Sequence, residues 1–585
     1  MSTSFSVYDT QVIIKTKSKT LCHSPNNILD TDIFEDCLNR YIRFLKKSSS
    51  PLLDIFPKSS DHSTQALVKL LKLLLQYPKK IIIEEHSQYK PFFNDSYLFA
   101  QFIENLYNYW RSFERFLIIY SDPRLIDPHH KKPYRTFNDT IDKINHYVRS
   151  LYRDIVENIT DDYPRVYRQT AAGFQVGLIA STVEPLLKAP EYKKLTNIPF
   201  INHILVEPPL IIDPPMNKRK GFFQEVSSNP LKHLHLNEKD FICYPALVGH
   251  LMIHVYFHHR FISLGSALAN LFELATDEYL ERKPDAVYVY GASRKDLKVY
   301  GDFPIVYYSD KEEGILVGAV PDDSEFAYFG YLKKMILTLH NVIQIRKKNL
   351  PVHGAMVNIQ LKNNKSANVL IIGDSGAGKS ESLEAFRQLS ADYLRQMIVI
   401  FDDMGSLAIE DNQVKAYGTE IGAFVRLDDL QPGFAFGNID RSIIMSPQKI
   451  NARAVMPISP LQEIQKGYPV DYVLYANNYE QIDESHEVLE RASTPDDALS
   501  IFREGARMAK GTTSEEGITH SFYANPFGAP QCRNDYEKLA NKFFNLFFKQ
   551  KTYVGQLRTR LGIPGFEQDG PIAAAKALFA CLEKQ

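Results

Sequence analysis

Residues 373–380 read Gly-Asp-Ser-Gly-Ala-Gly-Lys-Ser, a GxxxxGK[ST] string. The apolar run Asn368–Ile372 (NVLII) precedes it, and a helical pattern, ESLEAFRQL, follows. Strand, loop and helix in that order are the setting a phosphate-binding loop requires. Glycines let the backbone curl so that successive N–H groups point inward at phosphate oxygens, and the following helix adds its positive end. Gly373, Asp374, Ser375, Gly376, Ala377 and Gly378 would form that cradle. Lys379 would bridge the β- and γ-phosphates, and Ser380 would offer its hydroxyl to the metal ion. The expected ligands are ATP and Mg²⁺. A second strand candidate, Met397–Phe401 (MIVIF), ends in Asp402-Asp403. A carboxylate at the end of a strand beside a phosphate loop can hold Mg²⁺ or its waters.

A different pattern occurs at His250, His254 and His258, spaced i, i+4, i+8, with His259 adjacent. On a helix this spacing puts three imidazoles on one face, where they could bind metal. The intervening LMI and VYF make the segment apolar nearly all round, so it reads as a buried helix and no metal is assigned to it. The five cysteines are odd in number, widely spaced and without a CxxC pair. They support neither a disulfide framework nor a structural zinc site.

Elements must position these groups. Thr64–Gln76 (TQALVKLLKLLLQ) and Tyr97–Leu117 place apolar residues at three- and four-residue spacing, predicting amphipathic helices. A passage with four prolines, Val206–Lys220, denies the backbone helix and central strand, and marks a boundary or a surface strap. Short β-rich runs follow, Ala286–Tyr290 and Ile315–Ala319, then a helical pattern over Phe329–Ile345. The last zone alternates β-like and helical runs. The expected fold class is α/β (α+β overall). Its expected parts are a mostly helical domain over 1–205 without recognisable chemistry, an α/β middle region over 206–350, and a P-loop catalytic domain with mixed sheet over 351–585.

Composition narrows the partners. The 585 residues carry a formal net charge of −1, which provides no long-range field for nucleic acid or an anionic membrane. The N-terminus lacks the apolar core of a secretory signal, and no run reaches the length of a membrane helix. A cytoplasmic protein without nucleic-acid or membrane partners is expected.

Taken together, Val352-His353-Gly354-Ala355-Met356-Val357, GDSGAGKSE and FDD resemble the superfamily of HPr kinase/phosphorylase and phosphoenolpyruvate carboxykinase. The loop is most similar to that of HPr kinase, and its flanks to the carboxykinase. Tyr328-Phe-Gly-Tyr-Leu-Lys333-Lys334 resembles the carboxykinase Tyr-Gly-Gly-Glu-Met-Lys-Lys, and His353 follows Lys334 by 19 residues, as the family's histidine does. Glu420-Ile-Gly-Ala-Phe-Val-Arg426 is similar to Glu-Gly-Gly-Cys-Tyr-Ala-Lys, with Arg426 in place of the lysine. Asn451-Ala-Arg453-Ala-Val-Met-Pro457 resembles Asn-Thr-Arg-Val-Ser-Tyr-Pro. Ala509–Gly517 and Phe527-Gly528-Ala529 resemble the Ala-Gly-Thr-Glu-Arg-Gly and Phe-Gly-Ala elements. The likeness spans roughly residues 285–585.

The resemblance implies that Lys334, His353 and Asp403 ligate a transition metal, usually Mn²⁺, beside Ser380 and Mg²⁺–nucleotide. A lysine ligates only as the free amine, so such a site must lower its pKa. Arg453 would neutralise the transferring phosphoryl group, with Arg426 and Lys333 spreading charge, and Tyr328 and Lys333 would face the acceptor. The family's arginine for the substrate carboxylate has its nearest counterpart in Arg294, two places from the expected position, where Ala292 stands. Three activities follow as expectations. One is conversion of oxaloacetate and ATP to phosphoenolpyruvate, ADP and CO₂. Another is phosphorylation of a protein or small-molecule hydroxyl, with Asp402 or Asp403 as base. The third is ATP binding without transfer.

Overall fold

A computed structural model describes residues 3–17, 21–57, 64–121, 132–165, 170–184, 186–427, 439–484, 486–509 and 517–584. The chain forms two compact units. One comprises Met1–Thr182 and Ile201–Glu207, the other Val183–Phe200 and Pro208–Gln585.

In the first unit helices predominate, but they are accompanied by a sheet that the periodicity did not predict. Strand β1 (Ser4–Tyr8) pairs antiparallel with β2 (Gln11–Thr16). Helix α1 (Asp32–Lys47) begins where Thr31 accepts the Phe34 N–H, with Asp32 and Glu35 in its first turn and Lys46 and Lys47 in its last. That charge order complements the helix dipole. The predicted helix over Tyr97–Leu117 is in fact two elements, helix α2 (Ser96–Arg111) and strand β3 (Glu114–Tyr120). The run Phe116–Ile119 is apolar without helical period, and it gains a parallel partner on each side, β2 and β4 (Val176–Ser181). A strand buried on both faces needs no alternation. Helix α3 (Lys143–Thr160) buries Leu151, Ile155 and Ile159 among side chains of α1 and α2.

The second unit contains a sheet built from β5 (Phe241–Val248), β6 (Leu251–His258), β7 (Ala286–Ala292), β8 (Val306–Asp310) and β9 (Ile315–Pro321). Their spatial order is β5-β6-β7-β9-β8, with β6-β7 and β7-β9 parallel. Here the helical reading of the histidines is corrected. His254 and His258 lie on β6, and His250 sits in the tight turn with Gly249 (φ +57°) that joins it to β5. All-round apolarity reflected a strand covered on both faces, not a buried helix.

A second sheet, of eight strands, holds the phosphate loop. Helix α4 (Phe329–Arg346), apolar nearly all round and buried along its length, leads into β10 (Leu350–Leu361). Then come β11 (Ser366–Ile372), helix α5 (Lys379–Gln388), β12 (Leu394–Glu410) and β13 (Gln413–Gly418). Strand β10 is flanked antiparallel by β11 and β12. A third, four-stranded sheet contains β14 (Gly422–Arg426), β15 (Ile443–Met445) and β16 (Arg453–Pro457), with Leu210–Ile212 of the proline-rich passage as its edge. Strand β17 (Tyr472–Asn477) lies parallel to β11, and β18 (Ala506–Met508) pairs with β19 (Ile518–His520). Helix α6 (Arg533–Lys549) contributes to one core of the eight-stranded sheet. Helix α7 (Asp569–Lys584) packs with α5 in the other, and β20 (Tyr553–Arg558) runs parallel to β17. The chain is therefore an α/β protein with mixed sheets. No helix of the described residues is long and apolar enough to cross a membrane.

Candidate active site

The loop between β11 and α5 needs two left-handed residues, Gly376 (φ +82°) and Gly378 (φ +106°). A Cβ at Gly378 would lie 2.7 Å from the Thr559 hydroxyl, so this turn excludes any side chain. Lys379 opens α5 and curls back, donating to the carbonyls of Gly373 (2.7 Å) and Asp374 (3.1 Å). One residue on, Ser380 donates to both carboxylate oxygens of Asp402 at 3.1 Å. Burial, then the neighbouring Asp403, raises the Asp402 carboxyl above its usual range.

Strand register brings in the next groups. Pairing of β10 with β12 sets His353 opposite Met404 and Gly354 opposite Asp403. Asp403 has φ +117°, a backbone conformation side chains rarely adopt. Its carboxylate collects three nitrogens. His353 Nε2 lies 2.8 Å from Oδ1, while Lys333 Nζ (2.5 Å) and Lys334 Nζ (3.3 Å) approach Oδ2. Lys333 also pairs with Glu420 at 2.9 Å.

These groups differ in charge for physical reasons. Burial alone would push the Asp403 carboxyl up, but Lys333, Lys334 and His353 overcome it and hold it well below the usual range. Burial would likewise depress Lys333, yet Asp403 and Glu420 raise it. For Lys334 burial outweighs the pull of Asp403 and Glu420, and with the Lys333 charge it brings the group down to about 8. Burial, then Lys379, lowers His353. Its Nδ1 donates to the Ala524 carbonyl at 2.8 Å, which fixes the ring so that Nε2 meets the Asp403 carboxylate. An imidazole nitrogen, a carboxylate and a lysine of lowered pKa thus converge, a donor set that could hold a divalent cation once its nitrogens give up their protons. Among the described residues no group of three or more His, Cys, Asp and Glu is placed to hold a metal ion. This set has two such donors and completes itself with an amine.

Lys379, Ser380, Asp402, Asp403, Arg426 and Arg453 all line one open cleft, whereas Lys334, His353 and Tyr328 do not line it. Arg426 and Arg453 face each other directly across β14 and β16. The buried Nε of Arg453 has no hydrogen-bond partner among the described residues, and its guanidinium stacks 5.3 Å from the Phe424 ring, which also lines the cleft. Tyr328 is buried just before α4, with its ring 6.2 Å from Phe424.

Two expectations require correction. Lys333, expected to face an acceptor, is fully buried and engaged by Asp403 and Glu420. Arg294 is engaged by Asp323 and Glu325 and does not line the cleft. Most of the Ala509–Gly517 match, residues 510–516, lies outside the described residues.

Several residues escaped the sequence reading. Arg219, from the proline-rich passage, lies 5.3 Å from the Phe223 ring and 5.7 Å from Phe527. Phe527 in turn lies 4.4 Å from Lys334 Nζ. Only the charge run Lys218–Lys220 marked that arginine. Arg387, which pairs with Glu384 at 3.2 Å, lines the cleft and could have been found from its i,i+3 spacing. Compared with known proteins, the chain matches no family model and no curated protein.

Proposed function

We propose that this chain transfers the γ-phosphoryl group of ATP, in a carboxykinase-like site that uses Mg²⁺ and Mn²⁺. The observation that carries the reading is that the phosphate loop, the Ser380–Asp402 pair, Asp403 and the Arg426–Arg453 pair line one cleft, with Lys334 and His353 behind it in contact with Asp403. In this reading the loop amides and Lys379 grip the polyphosphate, and Ser380 and Asp402 hold the nucleotide's cation. Lys334, His353 and Asp403 hold the second cation, with Lys333 and Glu420 bracing Asp403. Bound divalent metal would neutralise charge on the reacting oxygens. Arg426 and Arg453 stabilise the negative charge that develops on the phosphoryl group.

With oxaloacetate as the substrate, the acceptor is the enolate left by decarboxylation, and no base is needed. A second reading, a hydroxyl acceptor on a protein or small molecule, is favoured by the engagement of Arg294 away from the cleft. The raised Asp402 carboxyl supports it as the base. The test is incubation with γ-labelled ATP, Mg²⁺ and Mn²⁺, with and without oxaloacetate. Labelled phosphoenolpyruvate supports the carboxykinase reading, and label on protein or on an added alcohol supports the kinase. No transfer to any acceptor would contradict the proposal.

A further inference from the structure

The phosphate loop carries a charge that its task does not explain. A loop that presents N–H groups to a polyanion gains nothing from a carboxylate, yet Asp374 is its second residue. The Asp374 side chain is 12% exposed. Its Oδ1 accepts the Ser375 N–H at 2.7 Å and lies 3.5 Å from His353 Nδ1. On its other oxygen, Oδ2, the Nε of Arg507 approaches to 3.5 Å, and that arginine side chain is only 8% exposed. Arg507 belongs to β18, which is joined to the loop a second time through Asn478. The buried amide of Asn478 donates to the Gly376 carbonyl at 3.0 Å and the Met508 carbonyl at 3.1 Å, and accepts the Met508 N–H at 2.8 Å. Strand β18 therefore holds the loop at two points, one neutral and one charged.

From this juxtaposition we infer that Arg507 is a positioning residue for nucleotide binding, cancelling the Asp374 charge beneath the phosphates and fixing the first turn of the loop against β18. The inference rests on the loop being a triphosphate site. Without the arginine, Asp374 stands uncompensated beside a polyanion in a buried setting where salt screens weakly. Without both charges the repulsion disappears, while Asn478 still ties the loop to β18. Removal of Asp374 alone leaves the loop more electropositive.

The test is a double-mutant cycle on the full chain, read by titration with a fluorescent ATP analogue, steady-state kinetics and thermal unfolding. Arg507→Met is expected to weaken binding about tenfold, raising KM for the nucleotide with little change in kcat. Asp374→Asn is expected to bind at least as tightly as wild type. The double variant should recover most of the loss, and Arg507→Lys part of it. A folded Arg507→Met chain that binds like wild type, or a double variant as weak as Arg507→Met, overturns the inference. Should Arg507→Met not fold, Asp374→Asn decides, since weakened binding there contradicts the argument and equal or tighter binding supports it. Wild-type protein that binds no triphosphate would bring down the reading of the loop itself. Normal wild-type binding with the failures above would bring down the role of Arg507 alone.

Discussion

Asp403 touches more of the proposed chemistry than any other side chain, because His353, Lys333 and Lys334 all reach its two oxygens. Asp403→Asn should abolish Mn²⁺ binding, measured by titration. It should also destabilise the fold by about 3–5 kcal/mol, the cost of breaking a buried ion pair from one side. Glu420→Gln provides the contrast. It removes the other partner of Lys333, so it should cost stability but leave Mn²⁺ binding largely intact. Arg453→Ala removes a cation from the cleft, so turnover should fall about a hundredfold. Unchanged turnover would remove Arg453 from the mechanism. At this scale the sequence was informative where the chemistry is local. Lys379 and Ser380 stand in one motif, whereas Asp402 and Asp403, expected at a strand end after Met397–Phe401, lie inside the longer strand β12 (Leu394–Glu410). The pairing of Lys333 with Glu420, and the approach of Arg507 to Asp374, depend on elements far apart in the chain, and no local pattern encodes them.

The helix expected over Thr64–Gln76 forms over Thr64–Leu74, where Leu67, Leu70, Leu71 and Leu74 make a one-sided apolar stripe. Complete burial was misleading at β3 and β6, where an apolar run has no period to tell strand from helix, although the equally buried helix α4 was still legible. Complete burial of β6 has a measurable effect. Burial lowers His254 on that strand to about 3, and His340 on α4 to about 4, from an ordinary value of 6.5. Above about pH 6.5 both histidines are neutral folded or unfolded and do not alter stability. As pH falls below that value the unfolded chain takes up protons that the folded one refuses. Stability should therefore drop by about 1.4 kcal/mol per pH unit for each histidine, continuing toward pH 4. Urea unfolding at pH 7, 6 and 5 measures this slope. His254→Leu should make it shallower, and an unchanged slope would show that His254 titrates normally in the fold.

At the scale of the whole chain, the proposed chemistry belongs to one of two compact units, Val183–Phe200 with Pro208–Gln585. Near-neutral overall charge, visible in composition, gave no hint of that division, because it arises from which helices and strands share a core. A ligand that binds only the native form stabilises the unit that binds it, by about 2.7 kcal/mol at a hundredfold excess over Kd. Mn²⁺ with ATP should therefore raise the calorimetric transition of the unit that binds it, and Lys379→Ala should lose most of the shift. The most direct measurement is anomalous diffraction at the manganese edge from crystals grown with Mn²⁺ and ATP. The account predicts a peak within bonding distance of His353 Nε2 and an Asp403 carboxylate oxygen, with the phosphates cradled by Gly373–Ser380. Manganese bound elsewhere, or a triphosphate outside that loop, would contradict it.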